Sequence, residues 1–308
     1  LQDRREALHQ AAVEAIERIY ADRIAEQVER LAHHAVNGRV LPKAVRYLRE
    51  AGSKAVGRSA NKDAMAYFEQ ALVLLGELPQ SSETLTEELD IRVALGPALM
   101  ELKSPAAPEV EALYTRALEL VEQLGADSRR FPVLWGLWFM NYNRGNHAVA
   151  LQAGERLLEI GREGDDTGLL LEAHHALWPT LSSMGRPLQA IVHAEQGVAL
   201  YVRERHAAYT NLYAGHDPGV CCRYHLAMLH WVSGYPDRAL RSLQEAFRLT
   251  EELKHPLTTV ITLWFAAWLH HQRGERELAI AQCDSLIDLA KPHGFARWMD
   301  DVDTVHSV

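Results

Sequence analysis

Three sets of residues in this chain are placed where they could do chemistry. Cys221 and Cys222 stand near the start of an apolar stretch, and His225 follows Cys221 by four residues. At helical spacing that puts a thiol and an imidazole on one face, the elementary arrangement of a cysteine nucleophile with its base. No glycine turn suited to an oxyanion hole is evident beside them, and Asp217-Pro218-Gly219 reads as the turn leading into the helix. A small, apolar cysteine inside a packed helix is the commoner use of the residue. The chain is therefore expected to be non-catalytic, with a Cys/His enzyme kept as the rival reading.

The second set is three His-His pairs, His33-His34, His174-His175 and His270-His271. Neighbours on a helix point about 100° apart, so neither pair member helps the other to chelate. A metal site wants histidines at i, i+4 or a cluster converging from several helices. The pairs fall at different points within their surroundings, and neither a metal nor any other cofactor is expected.

The third set is aromatic. Trp135, Phe139 and Tyr142 stand at i, i+4, i+7, as do Trp264, Trp268 and His271, and Tyr224, Met228 and Trp231. His175, Pro179 and Ser182 occupy the same three positions in a fourth stretch. Large rings along one helix face are the usual source of binding energy in a groove. The competing reading is that some of them are core between neighbouring helices.

What must position these residues is a repeated element. Each set ends three residues before a glycine: Gly145, Gly185, Gly234 and Gly274. Each glycine is followed five residues later by an alanine: Ala150, Ala190, Ala239 and Ala279. The glycines are 40, 49 and 40 residues apart. Helix, glycine turn and helix at a fixed step is the pattern of an α-solenoid, whose hairpins bury their apolar faces on one another. The glycine supplies a positive φ that ends one helix, and the alanine lets the two helices approach. The longer middle step comes from an insertion, Arg203–Gly219, rich in turn residues. A loop of that size in a compact array is often functional, either for recognition or as packing over one edge.

The chain before these units is less regular. Helices are expected near 1–19, Ile24–Ala35, Leu41–Ala51, 63–75, Thr84–Leu102 and Glu109–Leu124, the last closed by Gly125. Pro79 breaks one connection, and Ser104, Pro105 and Pro108 another. The organisation is thus irregular hairpins over 1–130, regular repeats over 131–298 with the insertion near 203–219, and a frayed tail over 299–308.

Composition narrows the partners. The chain has 308 residues, 48% of them hydrophobic, and a formal net charge of −9. Such a balance argues against nucleic acid, which favours a basic face. No apolar run approaches the length of a membrane helix. Three cysteines, two of them adjacent, make no disulfide framework, and a reducing cytoplasm is the simplest compartment. The absence of an initiator Met suggests a piece of something longer.

Three turn-and-helix segments resemble tetratricopeptide repeats: GNHAVALQAGERLLEIG (Gly145–Gly161), GRPLQAIVHAEQGVAL (Gly185–Leu200) and GYPDRALRSLQEAFRL (Gly234–Leu249). They depart from that family in a step near 40 rather than 34 residues and in lacking its trailing proline. The longer step is similar to helical arrays that follow ATPase modules in large bacterial signalling proteins. These are the signal-transduction ATPases with numerous domains, and ATPases carrying an adenylate/guanylate-cyclase-like domain. ERLAHHAVNGRVLPKAVRYLREAG (Glu29–Gly52), HDPGVCCRYHLAMLHWVSGYPDRAL (His216–Leu240) and the stretch Trp264–Gly274 carry that closer resemblance. It implies a right-handed superhelical α-solenoid that serves as sensor or scaffold in a regulator. Its partners would be a protein, a peptide or other domains of the parent, with a homodimer or a small-molecule sensor as alternatives. No nucleotide-binding motif lies in this chain, so no ATPase or cyclase activity carries over.

Overall fold

In a computed structural model, the structure describes residues 2–58, 60–206, 209, 210, 213, 215–300 and 302. Every regular element among them is helical. The chain divides into two compact units, Leu1–Asn143 and Arg144–Val308.

The first unit holds α1 (Gln2–Ile19), a 3₁₀ segment (Ala21–Glu26), α2 (Val28–Asn37), α3 (Leu41–Val56), α4 (Asn61–Leu75), α5 (Ser82–Lys103), α6 (Pro108–Leu124) and α7 (Asp127–Asn143). The expected helix over Ile24–Ala35 is broken in two. Ile24–Glu26 belong to the 3₁₀ segment, Gln27 leaves helical geometry with φ −108 and ψ 5, and the α-helix starts at Val28. Consecutive helices pack pairwise around one core that runs from Val13 and Leu31 through Tyr47, Phe68 and Leu89 to Tyr114 and Met140. Gly136 and Gly96 exist for that core. A Cβ on either would fall 2.1 or 2.0 Å from Tyr114, so α5 and α7 close on the Tyr114 ring only because both lack one.

The second unit holds α8 (His147–Glu163), α9 (Thr167–Ser183), α10 (Pro187–Leu200), the short α11 (Arg203–His206), α12 (Pro218–Val232), α13 (Pro236–Leu253), α14 (Pro256–Gln272), α15 (Arg276–His293) and α16 (Ala296–Asp300). The hairpins α9/α10, α12/α13 and α14/α15 are tightly paired, and α12 packs against α9 on one side and α14 on the other. The turns are built as the sequence implies. Gly185, Gly234 and Gly274 have φ 71, 84 and 72. Tyr235 N donates to His230 O at 2.8 Å and Gly234 N to Trp231 O at 3.0 Å, which satisfies carbonyls that the helix end would strand. Pro187 and Pro236 then open the following helices, where a missing N–H costs nothing. Ala150, Ala190 and Ala239 are fully buried and Ala279 nearly so, as close helix approach requires.

After the exposed residues 203–205, the described residues of the insertion are tucked in. His206, Thr210, Tyr213 and His216 are buried, while residues 207, 208, 211, 212 and 214 lie outside the described residues. In the tail, 301 and 303–308 also lie outside them, and Val302 is buried in the cluster that includes Leu263 and Leu286.

Candidate functional site

The aromatic positions divide between the two units. In the first, Trp135 is buried, and Phe139 and Tyr142 are half-buried. Trp135 stacks on Phe139 with centroids 5.3 Å apart, and Trp138, absent from the sequence reading, lies between that pair and Tyr142.

In the second unit the residues of four helices assemble into a continuous ladder. His175 stacks on Trp178 at 4.9 Å within α9. Trp178 meets His225 of α12 at 6.3 Å, and His225 meets Phe265 of α14 at 5.0 Å. Tyr224 stacks on Phe265 at 4.1 Å. Trp264 meets Phe265 edge-on at 5.0 Å and Trp298 of α16 at 6.4 Å. His175 and Tyr224 are buried and form the floor. His225, Met228, Trp231, Trp264, Phe265, Trp268 and His271 are half-buried. Trp231 and Trp268 rest on Ala227, Ala239, Leu243, Ala266 and Leu269, and the Arg273 guanidinium lies 5.8 Å from the Trp231 ring. The rings are therefore fixed by packing on one side and open on the other. Phe265 was missed by the sequence reading, and His225 was read there only as a partner of Cys221, because each is one residue off the i, i+4, i+7 stripe.

The Cys221–His225 pair does not assemble as a nucleophile with its base. Sγ and Nδ1 are 3.5 Å apart, but Nδ1 is closer, at 3.0 Å, to the Cys221 carbonyl oxygen. A carbonyl only accepts, so Nδ1 carries the proton and cannot take one from the thiol. Cys221 is fully buried, and burial pushes its thiol well above the ordinary range. Cys222 points the other way, its Sγ 3.1 Å from Gly219 O, and burial pushes it up to about 12.

Cys221 has a different neighbour. His175 Nε2 lies 3.2 Å from its Sγ, and His175 Nδ1 is 2.9 Å from Glu172 Oε2. Burial pushes His175 down to about 3, which favours the neutral ring, and a carboxylate only accepts. The ring therefore donates from Nδ1 to the carboxylate and turns the Nε2 lone pair to the sulfur. His216 stands edge-on to His175 with centroids 5.3 Å apart. One ligand atom each of His175, His216 and Cys221 falls within 4.8 Å of the others, and all three residues are buried.

The backbone that presents this cluster is over-determined. Glu172 and His175 lie one turn apart on α9. Asp217 caps α12 by accepting from Val220 N at 2.9 Å, and its other oxygen accepts from Tyr201 OH at 2.9 Å. Asp217 N donates to Thr258 Oγ1 of α14 at 3.0 Å. Gly219 lets Tyr201 close over this turn, for a Cβ there would meet the ring at 2.5 Å. His216 is thus pinned against α9 by the end of the insertion.

The other histidines of the pairs go elsewhere. His34 Nδ1 meets His9 Nδ1 at 2.8 Å, His174 Nδ1 meets His193 Nδ1 at 2.9 Å, and His270 Nδ1 meets Glu275 Oε2 at 2.7 Å. In the first unit an open depression of about 490 Å³ is lined by Gln10, Val13, Arg39, Lys43 and Leu78 among others. Its two cations are already paired, Arg39 with Glu77 and Lys43 with Glu17.

No protein-family model matches the chain. It is 26% identical over 266 residues to "Uncharacterized protein R02095" of Rhizobium meliloti (strain 1021). That match covers 85% of this chain and only 26% of the relative, so the chain spans about a quarter of its length. Among solved structures, it is similar to a Rap protein complexed with Competence and Sporulation Factor. There the TM-score is 0.57 and the identity 11%, over 97% of this chain and 96% of that one. The fold is accordingly an all-α solenoid of tetratricopeptide-like hairpins. Among the described residues, no helix is long and apolar enough to cross a membrane.

Proposed function

We propose that this chain is a non-catalytic binding module that recognises a protein or peptide segment through the half-buried rings of its second unit. The carrying observation is the ladder itself. Met228, Trp231, Trp264, Trp268 and His271 sit half-buried on consecutive first helices, with Trp231, Trp264 and Trp268 held by core on one side. Rigid, half-exposed aromatic anchors lose little conformational entropy on binding and bury much apolar area. The Rap protein, a solenoid of the same fold and nearly the same extent, was solved with a factor bound, which supports the same use of this array. Phe139 and Tyr142 would serve the same role on the first unit, and the buried Trp135, His175 and Tyr224 would hold the contacting rings in place.

The chain's share of its Rhizobium relative supports a place within a longer protein, and the resemblance of the sequence alone suggests that this is a bacterial cytoplasmic regulator of the ATPase or cyclase-like kind. The mechanism is exchange. The face binds either an effector or another domain of the parent, and whichever binds one state more tightly shifts the regulator toward it. The test is capture of partners from the native lysate by the wild-type chain and by a Trp264→Ala/Trp268→Ala variant with unchanged circular dichroism. A partner retained by the wild type alone supports the reading. Equal retention by both removes the face from consideration.

A further inference from the structure

We propose that Cys221, His175 and His216 form a buried binding site for one divalent transition-metal ion of the Zn²⁺ class, with Glu172 fixing the His175 tautomer. Four observations converge on it. The three ligand atoms lie within 4.8 Å of one another, and ordinary Zn–S and Zn–N bonds bring two ligand atoms to about 3.3–3.7 Å in tetrahedral geometry, so an ion would draw the three side chains inward by rotamer adjustment. The ligand set, two imidazoles and one sulfur, is the borderline-soft set that selects zinc over magnesium or calcium. Glu172 Oε2 accepts a hydrogen bond from His175 Nδ1 at 2.9 Å, and a carboxylate behind a ligating histidine is the recurrent outer-shell support of metal sites. Its effect is to leave the Nε2 lone pair facing inward, 3.2 Å from the sulfur.

Charge supplies the fourth. Glu172 is 1% exposed and Cys221 fully buried, so two groups that could be anionic share one dry pocket. A divalent cation balances a thiolate and a carboxylate, and such balance is what makes buried charge tolerable. The binding step is a ligand exchange. The Cys221 S–H bond breaks, a sulfur–metal bond forms, and the proton leaves to solvent, with no change of oxidation state. A nucleophilic role fits less well, since the sulfur is sealed from any substrate. The site joins α9 to the turn before α12, so an occupied site would staple the insertion's end to the neighbouring hairpin. The site shares His175 with the buried end of the ladder, and metal binding is read independently of partner capture by the exposed rings.

The test uses the full chain stripped with a chelator, then titrated with Zn²⁺ or Co²⁺. One tight Zn²⁺ equivalent is expected, together with a thiolate-to-cobalt charge-transfer band in the near ultraviolet. Cys221→Ser should abolish the band and weaken Zn²⁺ binding. Glu172→Gln, with every ligand intact, should weaken binding about 10–100-fold. His33→Ala, a change at an exposed histidine of the first unit, should alter nothing. Thermal melts with and without metal should separate in the wild type and coincide in Cys221→Ser. No uptake, equal uptake by wild type and Cys221→Ser, or a cobalt spectrum without the thiolate band would each overturn the proposal. The cobalt spectrum is read on the wild type, so it decides even if a variant fails to fold.

Discussion

Replacing Ala239 by leucine tests the principle on which the second unit is built. Ala239 opens α13 and is fully buried among Ala227, Leu243, Ala266 and Leu269, with Trp231 and Trp268 beside them. An isobutyl group in place of a methyl finds no space there and must separate α12 from α13 or force strained rotamers, at about 1–3 kcal/mol. The opposite change, Ala239→Gly, opens no clash. It gives up about 1 kcal/mol of helix propensity and about 0.8 kcal/mol for the lost buried methyl. Both directions should therefore destabilise, as expected only of a position already at its best size. Leu278→Ala, at a side chain 49% exposed, should stay within about 0.5 kcal/mol of wild type. Urea unfolding followed by tryptophan fluorescence reads the difference. With a slope near 2 kcal/mol per molar, the Ala239→Leu midpoint falls by about 0.5–1.5 M, and the melting temperature drops by about 2–4 °C for each kcal/mol. If the leucine variant unfolds at or above the wild-type midpoint with an unchanged slope, the alanine does not set the hairpin spacing and the repeat argument loses its physical basis.

Other perturbations follow from the same geometry. Gly219→Ala brings a Cβ to 2.5 Å from the Tyr201 ring and should cost about 1–3 kcal/mol, loosening the turn that carries Asp217 and His216. His255 caps α14 by accepting from Thr258 N at 3.3 Å, and burial lowers its proton affinity below the ordinary value of 6.5. The unfolded chain then binds the extra proton first, so this contribution is whole above 6.5 and is lost as pH falls toward the folded value. An asparagine caps without titrating, so His255→Asn should flatten the dependence of the urea midpoint between pH 7.5 and pH 5; an unchanged dependence would assign it to other groups. The thiols of Cys221 and Cys222, raised by burial, should alkylate slowly in the native chain and at once in denaturant. Rapid native labelling would revive the nucleophile.

The fold was legible because a solenoid repeats its instructions. Gly234 and Gly274 have the positive φ that their place before Ala239 and Ala279 implies, and a glycine turn followed by a small residue means the same thing each time it recurs. The face of each helix was legible only to a first approximation. The i, i+4, i+7 rule names Trp264 and Trp268 but skips Phe265, which bridges Tyr224 and Trp264, because a helix packed between two neighbours shows rings on more than one stripe.

The cluster around Cys221 was missed for a different reason, which says where to look in such arrays. His175 and Cys221 are 46 residues apart, far outside any window that searches for ligands at i, i+4, and the adjacent pairs His174-His175 and Cys221-Cys222 draw attention to neighbours that point apart. Yet 46 lies between the two steps of this array, 40 and 49 residues. In a stack of hairpins the residues that meet are those one repeat apart, give or take a helical turn, because equivalent helices lie side by side. His216, 41 residues after His175, meets the same rule although it enters from the insertion, and the anchoring of Asp217 by Tyr201 and Thr258 brings it to α9. Chemistry in a solenoid is thus encoded at the repeat step and at its interruptions. Histidine, cysteine and acidic residues compared at that offset pair His175 with both His216 and Cys221 from the sequence alone.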